Sequence, residues 1–110
     1  MAGTPLRLEW SDRARDQLLQ VLSYYGEHAS TAVARRVLGQ IQTRAEELAQ
    51  FPLSGVAIEG LDQTFRRATA GSRLLRYRVL TEQHTLRVLA VRHSRRRPLS
   101  AANVEALDSG

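Results

Sequence analysis

The residues that could do chemistry in this chain are a histidine, a tyrosine and several arginines of its C-terminal half. Acid–base cleavage of a phosphodiester needs a group that accepts a proton, a donor for the leaving oxygen, and cations that stabilise the developing negative charge. Histidine is the side chain whose ordinary pKa lies nearest neutrality, and His93, Tyr77 and Glu59 are the candidate proton carriers. The candidate cations are Arg66, Arg73, Arg76 and Arg95. For this chemistry the favoured catalytic set is His93, Tyr77 and Arg73.

Two of these residues also have a structural interpretation, which the sequence leaves open. His93 can be a histidine at a strand end that bonds to the backbone. Tyr77 can be a tyrosine of the core or of the sheet, because it alternates with arginines in a predicted strand.

The charges of the chain are segregated along the sequence. Its 110 residues have a formal net charge of +5, and all 16 basic residues are arginine. Positions 66 to 97 contain ten arginines and one acid, Glu82, so this segment has a local charge of +9. Arginine stays charged and binds carboxylates and phosphates through paired hydrogen bonds. The segregation predicts an anionic partner, either nucleic acid or an acidic protein segment.

Composition excludes several other classes of protein. The chain has no cysteine, which excludes a disulfide framework and any thiolate metal site. Its three histidines lie far apart and no carboxylate cluster accompanies them, so we expect no metal site and no cofactor. We see neither a membrane span nor a signal peptide, and we therefore expect a cytoplasmic protein. The length predicts one domain over residues 1–110, with its core at about 6–98.

The elements that must position the candidate residues follow from hydrophobic periodicity. Alternation predicts a strand over 6–10, followed by a helix that Ser11 caps and Gly26 ends, with His28 in a loop. A second helix, capped by Ser30 or Thr31, stops before Pro52 because proline pushes the preceding residue out of the helical region. The short link between the helices makes them antiparallel neighbours. Within the second helix, Gly39 predicts a close approach of the first.

Three strands and a short helix complete the predicted order. The strands are expected at 65–70, 74–80 and 85–92, and the helix at 100–107. In the last strand, Leu86, Val88 and Ala90 are expected on one face and Leu89 and Val91 on the other, so that both faces are buried. The fold class is therefore α+β: an N-terminal strand, an antiparallel two-helix hairpin on a three- to four-stranded antiparallel sheet, and a short C-terminal helix.

Four stretches of the sequence resemble the RelE/ParE toxin superfamily, and its ParE branch in particular, over residues 6–98. The first is LEWSDRARDQL at 8–18, which is similar to the strand-to-helix start of the family. The second is LAQFPLSG at 48–55, which resembles its leucine–proline–glycine exit from the second helix. The third and fourth are FRRATAGSRLLRYRV at 65–79 and LRVLAVRHSRRRP at 86–98, which resemble its hairpin and its last strand.

The resemblance implies a type II toxin that forms a hetero-oligomer with a cognate antitoxin through an acidic or amphipathic segment. ParE-type toxins inhibit DNA gyrase and are not enzymes, whereas RelE-type toxins cleave mRNA on the ribosome. RelE-type toxins typically carry lysines and a C-terminal aromatic residue in the site, but this chain has no lysine and no aromatic residue after Tyr77. Arginine does not replace lysine as a proton donor. The ParE branch is favoured, and a non-toxic relative that binds nucleic acid or protein remains an alternative.

Two sets of binding residues follow from this interpretation. We expect the antitoxin in an apolar groove between the helices and the sheet, with contacts from Arg66, Arg73, Arg76, Arg78, Leu18, Leu22 and Leu75. We expect toxicity and target binding, to gyrase or alternatively to the ribosome and mRNA, to depend on His93, Arg95, Arg96 and Arg97.

Overall fold

The computed structural model of the chain describes residues 4–93 and 101–109. The helices are α1 (Asp12–His28), α2 (Thr31–Gln50) and α3 (Ala101–Ser109). The strands are β1 (Arg7–Trp10), β2 (Val56–Ala57), β3 (Phe65–Ala70), β4 (Arg73–Leu80) and β5 (Thr85–His93). They form one sheet in the order β1-β5-β4-β3-β2, in which β1 is parallel to β5 and the other pairs are antiparallel. The predicted α+β class is confirmed, and the structure adds β2 where the sequence predicted a loop.

Serine side chains start both long helices, as the sequence predicts. The hydroxyl of Ser11 accepts a hydrogen bond from the backbone N–H of Ala14, and that of Ser30 accepts one from Val33. The end predicted for α1 at Gly26 is wrong. Gly26 does not take the positive φ of a helix-ending glycine, so the helix continues to His28, whose Nδ1 lies 2.9 Å from the carbonyl oxygen of Tyr24.

The main core lies between the two long helices and one face of the sheet. The helices contribute Ala14, Val21, Ile41, Ala45 and Leu48, and the sheet contributes Leu75, Tyr77, Leu86, Val88 and Val91. A second, smaller cluster joins Phe65, Leu89 and Val104 of α3 on the other face. Gly39 is not a close-approach position, because a Cβ placed there meets no atom within 4 Å.

A β-bulge changes the alternation predicted for β5. Tyr77 pairs with Val88, whereas the preceding Arg76 pairs with Ala90, so Leu89 is the additional residue in β5. Val91 consequently joins Leu86 and Val88 on the helix side, whereas Leu89 packs in the cluster beneath α3. The predicted faces of Ala90 and Val91 are therefore wrong, since an inserted residue reverses the faces of those that follow it.

The described residues contain neither a membrane-spanning helix nor a group of side chains that could hold a metal ion. No helix in residues 4–93 and 101–109 combines the length and apolar character that a membrane span requires. The same residues contain no group of three histidine or acidic side chains placed to hold a metal ion.

Candidate functional site

Three arginines form a cationic cluster on the face of the sheet that points away from α1 and α2. Arg67 of β3 and Arg76 of β4 are cross-strand partners, and Arg92 of β5 pairs with Leu74 one row away. Only 4% of Arg76 is exposed. Its burial, together with the charges of Arg92 and Arg67, lowers the pKa of Arg76 from the usual arginine value. Within the described residues, Arg67, Arg76 and Arg92, the arginine cluster, form no ion pair with an acidic side chain.

Two neighbouring arginines on the same face are neutralised instead. Asp108 of α3 forms ion pairs with both Arg78 and Arg87, and Arg87 also contacts Glu9 of β1 at 3.0 Å. Burial acts against the charge of Arg87, but its bonds to Glu9 and Asp108 raise the pKa of Arg87 overall. These contacts clamp α3 onto the sheet. They divide the arginines of this face into a clamped pair and the arginine cluster.

Tyr77, a member of the predicted catalytic set, lies in the core of the fold. Its side chain is 0% exposed. Its hydroxyl donates a hydrogen bond to the carbonyl oxygen of Pro52 at 2.7 Å and accepts one from the N–H of Gly55 at 3.2 Å. Burial raises the pKa of Tyr77 above its usual value. Gly55 is required here, because a Cβ would collide with this hydroxyl and lie 2.7 Å from the carbonyl oxygen of Arg67.

Arg73 and His93 lie side by side at the end of the sheet. They are cross-strand partners of β4 and β5, and they share the helix-facing side with Leu75 and Val91. The arginine cluster lies on the opposite face, so the structure does not bring His93 into it. The third candidate proton carrier, Glu59, is exposed in the loop between β2 and β3. The residues predicted for toxicity at 95–97 lie outside the described residues.

The predicted antitoxin contacts lie on several different surfaces. Arg66 donates hydrogen bonds to the carbonyl oxygens of Leu53, Gly55 and Gln63. By register, Arg66 and Arg73 lie on the helix side of the sheet, and Arg76 and Arg78 on the other. Leu75 has no exposed surface, so this predicted contact lies inside the core.

Leu18 and Leu22 do line an apolar groove, on the outer side of the helical hairpin. This hairpin groove has a volume of about 450 Å³ and is lined by Trp10, Arg15, Leu18, Leu19, Leu22, Leu38 and Gln42. Two of its residues expose apolar surface to solvent, Leu19 by 62% and Leu22 by 40%. Large exposed aliphatic side chains that adjoin one another commonly mark a protein interface.

Comparison with known families identifies the chain. The sequence model for the ParE toxin of the type II toxin–antitoxin system parDE matches residues 8–98. The chain belongs to the ParE toxin family. No curated protein is similar enough in sequence to count as a match.

Solved structures share the fold of this ParE-family chain at low sequence identity. A chain of the chromosomal ParDE system of P. aeruginosa is 17% identical, with a TM-score of 0.67 over 80% of this chain and 95% of that one. A chain of the RelBE2 toxin–antitoxin complex of Mycobacterium tuberculosis is 22% identical, with a TM-score of 0.65 over 84% and 97%. A mutant of the E. coli toxin RelE in the free state is 18% identical, with a TM-score of 0.63 over 94% and 93%.

Sequence reasoning missed two sets of residues in this ParE-family fold. One is the remainder of the hairpin groove, above all Leu19 and Leu38, although the run of apolar residues at 18, 19, 21 and 22 is wider than one buried stripe requires. The other is the clamp through Asp108. No local signal marks it, because its arginine partners lie 30 and 21 residues earlier in the chain.

Proposed function

We propose that this ParE-family chain is a toxin that inhibits DNA gyrase and is neutralised in the cytoplasm by a cognate antitoxin. The observation that carries the choice of target is the composition of the arginine cluster. Its two cross-strand rows, Arg67–Arg76–Ala90 and Thr69–Leu74–Arg92, contain guanidinium groups and no group that titrates near neutral pH. Such a surface binds phosphates or carboxylates but does not transfer protons.

The alternative, ribosome-dependent cleavage of mRNA, needs proton transfer beside the bound phosphate. Tyr77 cannot supply it, because its hydroxyl is buried and bonded to the backbone at Pro52 and Gly55. His93 faces the opposite side of the sheet, beside Arg73, and does not reach a phosphate bound at the arginine cluster. The absence of a proton-transfer group among the described residues of the cluster supports a toxin that acts by binding.

The hairpin groove is the proposed seat of an apolar helix of the antitoxin. The family works with an antitoxin partner, and the exposed Leu19 and Leu22 offer a site that association would remove from water. Arg15 at the rim gives the groove a cation for an acidic residue of that helix. Occupation of this groove leaves the arginine cluster available, so an acidic extension of the same antitoxin is expected there.

The target is tested by inducing the chain alone in bacteria and following DNA and protein synthesis by pulse labelling in the first minutes. The proposal expects DNA synthesis to fall first, and the purified chain to inhibit supercoiling by gyrase. Arg67→Gln, which removes the exposed arginine of the cluster, and Arg95→Ala with Arg96→Ala should relieve both effects. Arg36→Gln, which removes an exposed arginine of α2, is the matched control and should relieve neither. Protein synthesis falling first, with mRNA cleaved on ribosomes, would overturn the proposal.

The antitoxin site is tested separately by placing a charge in the groove. Leu22→Glu should leave toxicity intact and abolish neutralisation by the antitoxin, because burying a carboxylate against an apolar helix carries a large desolvation cost. Ser23→Glu adds the same charge at the next exposed position, outside the groove residues. Equal neutralisation of the two variants would contradict the assignment.

A further inference from the structure

A pocket of about 370 Å³ lies between the C-terminal half of α1 and the adjoining ends of β4 and β5. Tyr24 and Tyr25 of α1 line one side of it, and Arg73, Val91, Arg92 and His93 of the strands line the other. It opens on the helix side of the sheet. Nothing in the proposed action on gyrase or in the antitoxin groove accounts for it.

The guanidinium of Arg73 is the unusual feature of this pocket. Only 8% of the residue is exposed, and its Nη1 is buried without a hydrogen-bond partner. Buried polar atoms in folded proteins almost always have a partner, and an orphaned charged donor calls for a specific explanation. A donor of this kind that lines an open pocket is explained by an anionic ligand that binds there.

An aromatic surface adjoins this cation. The Cζ of Arg73 lies 5.7 Å from the ring centroid of Tyr25. The ring of Tyr24 packs edge to face on Tyr25, with centroids 5.1 Å apart, and stacks on His28 at 4.6 Å. Tyr24 is 53% exposed, so a flat ligand group can reach it beside the guanidinium. Both rings come from α1, and not from the strands of the sheet.

A further donor completes the pocket. The Oε1 of Gln17 accepts a hydrogen bond from the backbone N–H of Val91 at 2.6 Å. This bond fixes the side chain and leaves its amide nitrogen as a donor at the pocket wall.

We propose that this pocket, the Arg73 pocket, binds a nucleotide. The phosphate is held by Arg73, and the base stacks on Tyr24. The volume lies within the range of small-molecule sites, about 300–1,000 Å³, and is larger than a single carboxylate side chain fills. A cation next to an exposed aromatic ring is the combination that binds nucleotides without sequence preference. The nucleotide is either a free monophosphate or one unit of a single strand.

The pocket is tested by calorimetric titration of the full chain with adenosine monophosphate. Arg73→Gln is expected to weaken binding about tenfold or more, because a charged donor to the phosphate is lost. Tyr24→Leu is expected to weaken it about fivefold or more through lost stacking. Arg36→Gln should leave it unchanged. Inorganic phosphate should bind more weakly than the nucleotide and be insensitive to Tyr24→Leu.

Two further ligands distinguish a free nucleotide from a nucleic-acid strand, and a nucleotide from an acidic side chain of a partner protein. If a six-nucleotide single strand binds more tightly than the monophosphate, with the same dependence on Arg73 and Tyr24, the physiological ligand is a strand; otherwise it is the free nucleotide. If a hexaglutamate peptide depends on Arg73 and the monophosphate does not bind, the pocket holds an acidic side chain of a partner and the proposal is overturned. Equal monophosphate affinity in Tyr24→Leu and Arg36→Gln overturns it even when Arg73→Gln does not fold.

Discussion

Replacing Tyr77 by phenylalanine is expected to weaken the fold and to leave the toxic activity of the folded molecule intact. The ring stays in the core, where it is fully buried, and only the hydroxyl is lost. That hydroxyl serves two backbone groups, the carbonyl of Pro52 and the N–H of Gly55. These two hydrogen bonds hold the turn after α2 against the sheet. The substitution removes the oxygen atom that makes both of them.

The expected magnitude follows from the two groups that lose their partner. A buried donor or acceptor left unsatisfied costs about 1–3 kcal/mol. Pro52 is only half-buried and water can reach its carbonyl, whereas Gly55 is buried, so most of the cost falls on the N–H of Gly55. We expect a loss of about 2 kcal/mol in the free energy of unfolding, which in a domain of this size lowers Tm by about 8–15 °C.

The assay is urea unfolding followed by the fluorescence of Trp10, the single tryptophan, which packs against the core. Tyr24→Phe is the matched control, since it removes the hydroxyl of an exposed tyrosine and should change stability by less than about 0.5 kcal/mol. Growth arrest on induction is measured for both variants and scaled to the amount of folded protein. The reasoning is refuted if Tyr77→Phe is as stable as Tyr24→Phe and has lost its toxicity, because the hydroxyl then acts in chemistry.

Three other perturbations test separate parts of the structure. Gly39→Ala should raise the free energy of unfolding by about 1 kcal/mol, because alanine is the better helix former and its Cβ meets no atom within 4 Å; a loss of stability in urea would show a hidden contact. Asp108→Asn should release α3 from Arg78 and Arg87 at a cost of about 1–2 kcal/mol; hydrogen exchange of α3 that stays unchanged would argue against the clamp. The raised pKa of Tyr77 means that its contribution to stability is complete below pH ~10 and falls as the pH rises beyond that value. The urea midpoint of the wild type should therefore drop more steeply above pH ~10 than that of Tyr77→Phe, and parallel curves would contradict the shift.

The features that the sequence predicted well are those set by local interactions. The serine caps at Ser11 and Ser30, the apolar stripes of the helices and the stop before Pro52 all depend on residues a few positions apart, and the structure confirms them. The bulge at Leu89 depends instead on the register between β4 and β5. No pattern within β5 reveals it, because the strand is apolar on both faces.

The candidate site was harder to predict for the same reason. The count of arginines between 66 and 97 predicts an anionic partner. The role of each arginine, however, depends on residues that are distant in sequence. Asp108 neutralises Arg78 and Arg87, and backbone carbonyls near Pro52 occupy Arg66. Tyr77 was placed on the correct face by alternation, yet its hydroxyl partners lie 25 and 22 residues away.

The bulge at Leu89 also decides which residues the end of β5 presents to each side of the sheet. If the strand instead kept Leu89 in plain alternation, paired with Arg76, every later side chain would turn over. His93 would then join Arg67 and Arg76 on the outer face, and Arg92 would turn inward toward α1. An imidazole would stand among guanidinium groups with no amino acid replaced. In this fold, one residue of register between β4 and β5 decides whether the outer face carries guanidinium groups alone or an imidazole beside them.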